Sequence, residues 1–163
     1  LPALQVSRGV SIFACDGYAV YSRDRMRLGP GPPPYEVETT PIYISVHANT
    51  DAKARLLNAE VFMRVWEAVF QSQQFWHYDW TVKIDPDCVM VPSVLRVHLQ
   101  MTWGSVARSE KFKGRGLYLR NCAPAHDSKF GLLGAMEVLS RQAVEARPHP
   151  ACNAHGWGGF LPR

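Results

Sequence analysis

Leu57, Val61, Val65 and Val69 recur at every fourth position, and Phe62, Trp66 and Phe70 run beside them as a second row. An apolar stripe this wide is the core-facing side of a helix. It predicts a helix over Lys53–Phe70, with Thr50 or Asp51 able to cap its start. Soon afterwards the period drops to two: Trp80, Val82 and Ile84 alternate with Thr81, Lys83 and Asp85, the pattern of a half-buried strand. A broad helix feeding an apolar strand within a short stretch constrains the chain to elements of both kinds packed on each other. The same aromatic row could in principle stack a base, but at helical spacing it reads as core.

The remaining segments extend the interleaving. Val10–Cys15 is short, β-prone and closed by Asp16-Gly17, which predicts a buried strand and a turn. Gly29–Pro34 carries three consecutive prolines and predicts a surface loop. Pro41–Val46 is a second strand candidate, with Ile42, Ile44 and Val46 on one face. Pro92-Ser93 suits the start of a helix over Val94–Met101. Leu117–Leu119 and Met136–Leu139 are brief strand candidates, and Ser140 caps a helix from Arg141 to about Arg147, ended by Pro148. Strands alternating with helices predict an α/β fold with a mostly parallel sheet and flanking helices.

With 163 residues, 47% of them hydrophobic and 20% charged, the chain suits one globular domain, residues 1–163, and excludes wholesale disorder, a collagen-like repeat and a coiled coil. No apolar run approaches the roughly 20 residues that cross a bilayer. The net charge of +4 is scattered apart from Arg23, Arg25, Arg27 and the Lys111/Lys113/Arg115 group, so no nucleic-acid partner is expected. Such patches suit an anionic small molecule or a solvated loop. Four cysteines form no C-x-x-C pair, which removes a zinc ribbon and a thioredoxin-like centre. Cys122 and Cys152 lie in polar surroundings and are the better pair for a disulfide, whereas Cys15 and Cys88 read as small buried residues. The six histidines form no H-x-x-x-H, no G-x-S-x-G occurs, and Gly114-Arg115-Gly116 is too short for a phosphate loop.

The chemistry concentrates at Asp85-Pro86-Asp87. In extended backbone, side chains two apart point the same way, and Pro86 biases Asp85 toward that conformation. Two carboxylates held together repel, and a hard cation, Mn²⁺ or Mg²⁺, relieves the repulsion while keeping positions open for diphosphate oxygens. In α/β sheets ligands lie beyond the carboxyl ends of strands. Two aspartates around a proline can equally just shape a turn.

The run Trp80-Thr81-Val82-Lys83-Ile84-Asp85-Pro86-Asp87, followed by Val91-Pro92 and Leu95-Arg96-Val97-His98-Leu99, resembles the metal-binding segment of glycosyltransferases of the fringe and beta-galactosyltransferase type, where a W-x-x-K-x-D-D-D strand precedes a helix with an L-R pair. Asn58, Phe62 and Trp66 look like the family's preceding helix. Phe130–Ser140 is similar to its G-G-x-x-x-x-x-S segment beside the sugars, and Cys152–Gly158 to the approach to its G-x-E-D segment. The wording, including Ser11–Ser22, is nearest to that of glycosyltransferase-like proteins of algal protists, and the resemblance covers about two-thirds of the chain.

This resemblance implies a nucleotide-diphospho-sugar transferase fold of the A type, and hexosyl transfer from a nucleotide-sugar donor to a glycan or glycoprotein acceptor in the Golgi lumen. It implies Mn²⁺ (or Mg²⁺) at Asp85 and Asp87, with Asp87 the direct ligand and Asp85 on the ribose or on the metal through water. Lys83 would lie near phosphate, or else be an exposed strand lysine. Gly134 and Glu137 fall in the donor-binding segment, Glu137 reading either as a substitute carboxylate or as a solvent-facing strand residue. Two departures stand out: Pro86 replaces the family's middle Asp, and no acidic residue follows Gly158, so the family's general base and its C-terminal part are expected to be missing. General-base assistance is typically worth about 10²–10⁴-fold, so a catalytically inactive binding or assembly module is the alternative. A metal-dependent phosphohydrolase is a third reading.

Overall fold

A computed structural model describes residues 1–31, 36–42, 49–50, 56–57, 59–104, 109–110, 114–120 and 135–146. Helix α1 (Pro2–Arg8) starts on a proline and stops at Gly9, whose φ of 57° is the left-handed conformation that glycine adopts freely. Residues Ser11–Ala14 then form a 3-10 turn where a strand is expected. The backbone there bonds to itself, Phe13 N–H to Val10 O (3.3 Å) and Cys15 N–H to Ile12 O (3.0 Å), so these residues need no partner strand.

The strands pair two by two. β1 (Tyr21–Ser22) runs parallel to β4 (Thr40–Pro41), and β2 (Arg27–Pro30) antiparallel to β3 (Glu36–Glu38). Gly29 and Pro30 thus end a strand, and the expected proline loop starts later than Gly29. β5 (Asn49–Thr50) pairs antiparallel with β6 (Leu56–Leu57). That pairing takes Leu57 out of the expected helix, so α2 spans Ala59–Ser72 rather than starting at Lys53. Of the strand expected over Pro41–Val46, only Pro41 and Ile42 lie among the described residues.

The apolar stripe of α2 does what its period requires. Trp66 is buried, and with Phe75, Leu139, Ala143 and Val144 it forms a core flanked by Val69, Phe70 and Tyr118. Phe70 meets Phe75 edge to face at 5.9 Å. Trp66 and Phe70 are therefore core residues and no base-stacking platform.

Beneath α2 lie β7 (Trp80–Ile84) and β8 (Met136–Ser140), antiparallel in the register Trp80↔Ser140 to Ile84↔Met136. Residues 117–119 line the far edge of β8: Leu119 N–H bonds to Val138 O (3.0 Å) and Ser140 N–H to Leu117 O (2.8 Å). The strand candidate there is realised as a single bridge, Tyr118↔Leu139. Ser140 caps α4 (Arg141–Glu145), its Oγ accepting from Ala143 N–H. Between the two strands in the chain, α3 (Pro92–His98) starts on its proline and continues as a wider π turn through Trp103. Of the four strand pairs described, one is parallel and three are antiparallel. Among the described residues no helix is long and apolar enough to cross a membrane.

Candidate functional site

Lys83 and Glu137 are direct cross-strand partners. Asp85 lies two residues beyond Lys83, so the strand period puts it on the same face. Its N–H is held by Ala135 O at 3.1 Å, which carries the pairing one residue past the end of β7. Phe62 of α2 covers this face, with Lys83 Nζ 3.8 Å from the centre of its ring. The ammonium is 2.6 Å from Asp85 Oδ1 and 3.7 Å from Glu137 Oε1.

Burial sets the electrostatics. The Lys83 side chain is 9% exposed, against 27% for Asp85 and 21% for Glu137. Neither an exposed strand lysine nor a solvent-facing Glu137 is present: the two face each other under an aromatic ring. The two carboxylates and the negative face of the ring compensate the charge of a lysine so enclosed. Burial pushes the Glu137 carboxyl above its ordinary value; the Lys83 ammonium pulls it partly back, and the Asp85 charge raises it further. Asp85 Oδ1 is buried and accepts no hydrogen bond. What holds it is the ion pair with Lys83 Nζ.

The strand ends in a turn. Cys88 N–H donates to Asp85 O at 3.0 Å, with Pro86 and Asp87 as the two central residues. Aspartate first and proline second are what such a turn favours. The extended backbone expected through Asp87 is thus not adopted, and period-two alignment does not bring the two carboxylates together. Asp87 instead stands exposed on the turn, with its Oδ1 3.6 Å from Cys88 Sγ. The Cys88 thiol is raised above its ordinary value by burial, then by Asp87 and Asp85. Asp85 opens this turn and Asp87 is its second central residue.

The segment after the turn is fastened to the N-terminal residues. Gln5 Nε2 donates to Cys88 O (3.3 Å), and Met90 N–H donates to Ser11 Oγ (3.3 Å). Arg96 of α3 donates to Ala14 O (3.2 Å) and pairs with Asp16 (3.1 Å). Sequence reasoning missed Phe62, Ser11 and Gln5 as supports of this turn. Phe62 alone carried a signal, its place in the row that faces the strand.

Among the described residues no three His, Cys, Asp or Glu side chains converge as a metal cage. A hard cation bound by one or two carboxylates, with water and phosphate oxygens completing its shell, needs no such cage. Asp85, its Oδ1 buried beside the Lys83 ammonium, and the exposed Asp87 are the two carboxylates that this turn offers. Gly134 lies outside the described residues, as do Lys111, Lys113, Cys122, His126, Asp127, Cys152 and the Phe130–Gly134 and Cys152–Gly158 stretches. Cys15 and Cys88 are free thiols, half-buried rather than fully enclosed. A separate depression of about 490 Å³ is lined by Ser93, Val94, Val97, His98 and Met101, and takes no residue from β7 or β8. Comparison of the chain with protein-family models, with curated proteins and with solved structures finds no match.

Proposed function

We propose that this chain is a glycosyltransferase-like domain of the A type that binds a nucleotide sugar through a divalent cation and passes a hexosyl group to a glycan or glycoprotein hydroxyl in the secretory pathway. One observation carries the reading: a buried Asp85 oxygen without a hydrogen bond at the end of β7, one turn from a second carboxylate and beside an enclosed ammonium. Asp85 and Asp87 would hold Mn²⁺ or Mg²⁺. The bound cation would supply Lewis-acid stabilisation of the charge gathering on the departing nucleoside diphosphate.

The chain's own residues do the rest. Lys83 is near enough to the same oxygens to orient the diphosphate. Glu137, whose carboxyl burial raises above its ordinary value, is a described side chain that could take a proton from the acceptor hydroxyl. Pro86 in place of a third acid, and an ammonium already seated on Asp85, favour the second reading, a domain that binds the donor without turning it over.

Calorimetric titration of the chain with UDP, GDP and CDP, with and without Mn²⁺, separates the outcomes. Binding of at least one diphosphate is expected to depend on Mn²⁺, and Asp85→Asn and Asp87→Asn are each expected to weaken it roughly tenfold or more, the scale of one charge-assisted contact. No Mn²⁺-dependent binding by the unmodified chain would defeat both readings. Binding without sugar release or transfer from the matching nucleotide sugar would leave the second.

A further inference from the structure

The ammonium of Lys83 occupies the place where a cation would have to bind. Its Nζ is 2.6 Å from Asp85 Oδ1, the buried oxygen to which the metal-dependent reading assigns the cation. A second positive charge brought to that oxygen is repelled by the first, and a partly buried site screens the repulsion poorly. The same ammonium has another carboxylate within reach, Glu137 Oε1 at 3.7 Å, directly across the ladder from its own backbone. It also rests on the Phe62 ring, which attracts a cation wherever it lies over the ring face. Leaving Asp85 therefore does not return Lys83 to bulk water.

We infer that Lys83 is a resident counter-ion of Asp85, which an arriving divalent cation displaces toward Glu137, so that the chain sets its own cation affinity by internal competition. The inference rests on the metal-dependent reading above and differs from it in one respect: there Lys83 only helps to hold phosphate, and its removal would weaken binding. Here it opposes the cation, and its removal strengthens cation binding. In the metal-free state the pair keeps Asp85 from standing buried and uncompensated. With the cation bound, Glu137 receives the displaced charge.

The test is a titration with Mn²⁺ alone, followed by the electron paramagnetic resonance signal of the free ion, on the full chain and on Lys83→Met. Methionine keeps an unbranched apolar stem as far as the atom that carries Nζ and removes the charge. Lys83→Met is expected to bind Mn²⁺ about tenfold tighter or more. Equal or weaker binding by the variant, with the unmodified chain still binding Mn²⁺ and diphosphate, overturns this inference and leaves the metal site. Absence of Mn²⁺ binding by both, with and without diphosphate, overturns the two together. Should Lys83→Met fail to fold, Glu137→Gln decides: it removes the carboxylate that receives the displaced ammonium, so it should bind Mn²⁺ severalfold more weakly than the unmodified chain, and unchanged binding overturns the displacement.

Discussion

Glu137 shows how one side chain's surroundings set its protonation and its effect on stability. Burial raises its carboxyl above the ordinary value of 4.5, with Asp85 adding to the rise and Lys83 opposing it. The folded chain therefore holds this proton where the unfolded chain has released it. Stability from this group is fully present below the ordinary value and is lost as pH rises through the folded one. Glu137→Gln removes the titrating group while keeping its shape. The urea midpoint of the unmodified chain should accordingly fall relative to that of Glu137→Gln as pH is taken from about 4 to neutrality. A gap between the two curves that does not change with pH would contradict the burial argument. Lys83 and Asp85 were legible beforehand as neighbours on one strand face, because two residues of strand need only the period. Their meeting with Glu137 was not, because the register of β7 on β8 joins residues far apart in the chain, and no periodicity encodes it.

Where the sequence states a local preference and nothing competes, the elements follow it: β7 from strict alternation, β8 from Met136–Ser140, and α4 from the Ser140 cap. The departures occur where a partner intervenes. Leu57 has the helical period but pairs with Asn49, and Val10–Cys15 has the composition of a strand yet closes into a turn that Ser11 bonds to Met90. Tertiary contacts of this kind override propensity. The junction of α4 with the segment beside β8 depends on a further residue whose role no pattern announces. A Cβ added to Gly116 would lie 2.6 Å from the Cα of Ala143, a backbone atom that cannot swing aside, whereas one added to Gly17 meets the movable ring and hydroxyl of Tyr78. Gly116→Ala should therefore cost about 1–3 kcal/mol, as overpacking does, and Gly17→Ala less. Chemical denaturation of the two variants checks the order, and a Gly116→Ala chain as stable as the unmodified one would show that α4 can shift to make room.

At the scale of the whole molecule, the acidic turn joins two regions that share no strand. One side is the β7–β8 ladder under α2. The other is the N-terminal stretch, reaching the segment just after the turn through Gln5, Ser11 and the Arg96 contacts. Ser11 is the residue on which this second attachment is built. It is 1% exposed, holds a left-handed φ of 58° and accepts the Met90 N–H. A non-glycine residue in that conformation carries strain of order 1–3 kcal/mol, tolerated here because the hydroxyl satisfies a buried backbone donor. The two contributions separate by substitution. Ser11→Ala keeps the strain and leaves Met90 N–H without its acceptor, which costs about 1–3 kcal/mol. Ser11→Gly loses the same bond but relaxes the backbone, recovering about 1 kcal/mol over alanine. Urea unfolding should rank the unmodified chain first, glycine second and alanine last. Because Met90 follows the turn so closely, both variants should also weaken Mn²⁺-dependent diphosphate binding, and alanine should not exceed glycine in stability. If alanine proves the more stable of the two, the hydroxyl and not the backbone conformation is the whole of what Ser11 contributes, and the N-terminal stretch grips the turn through hydrogen bonding alone.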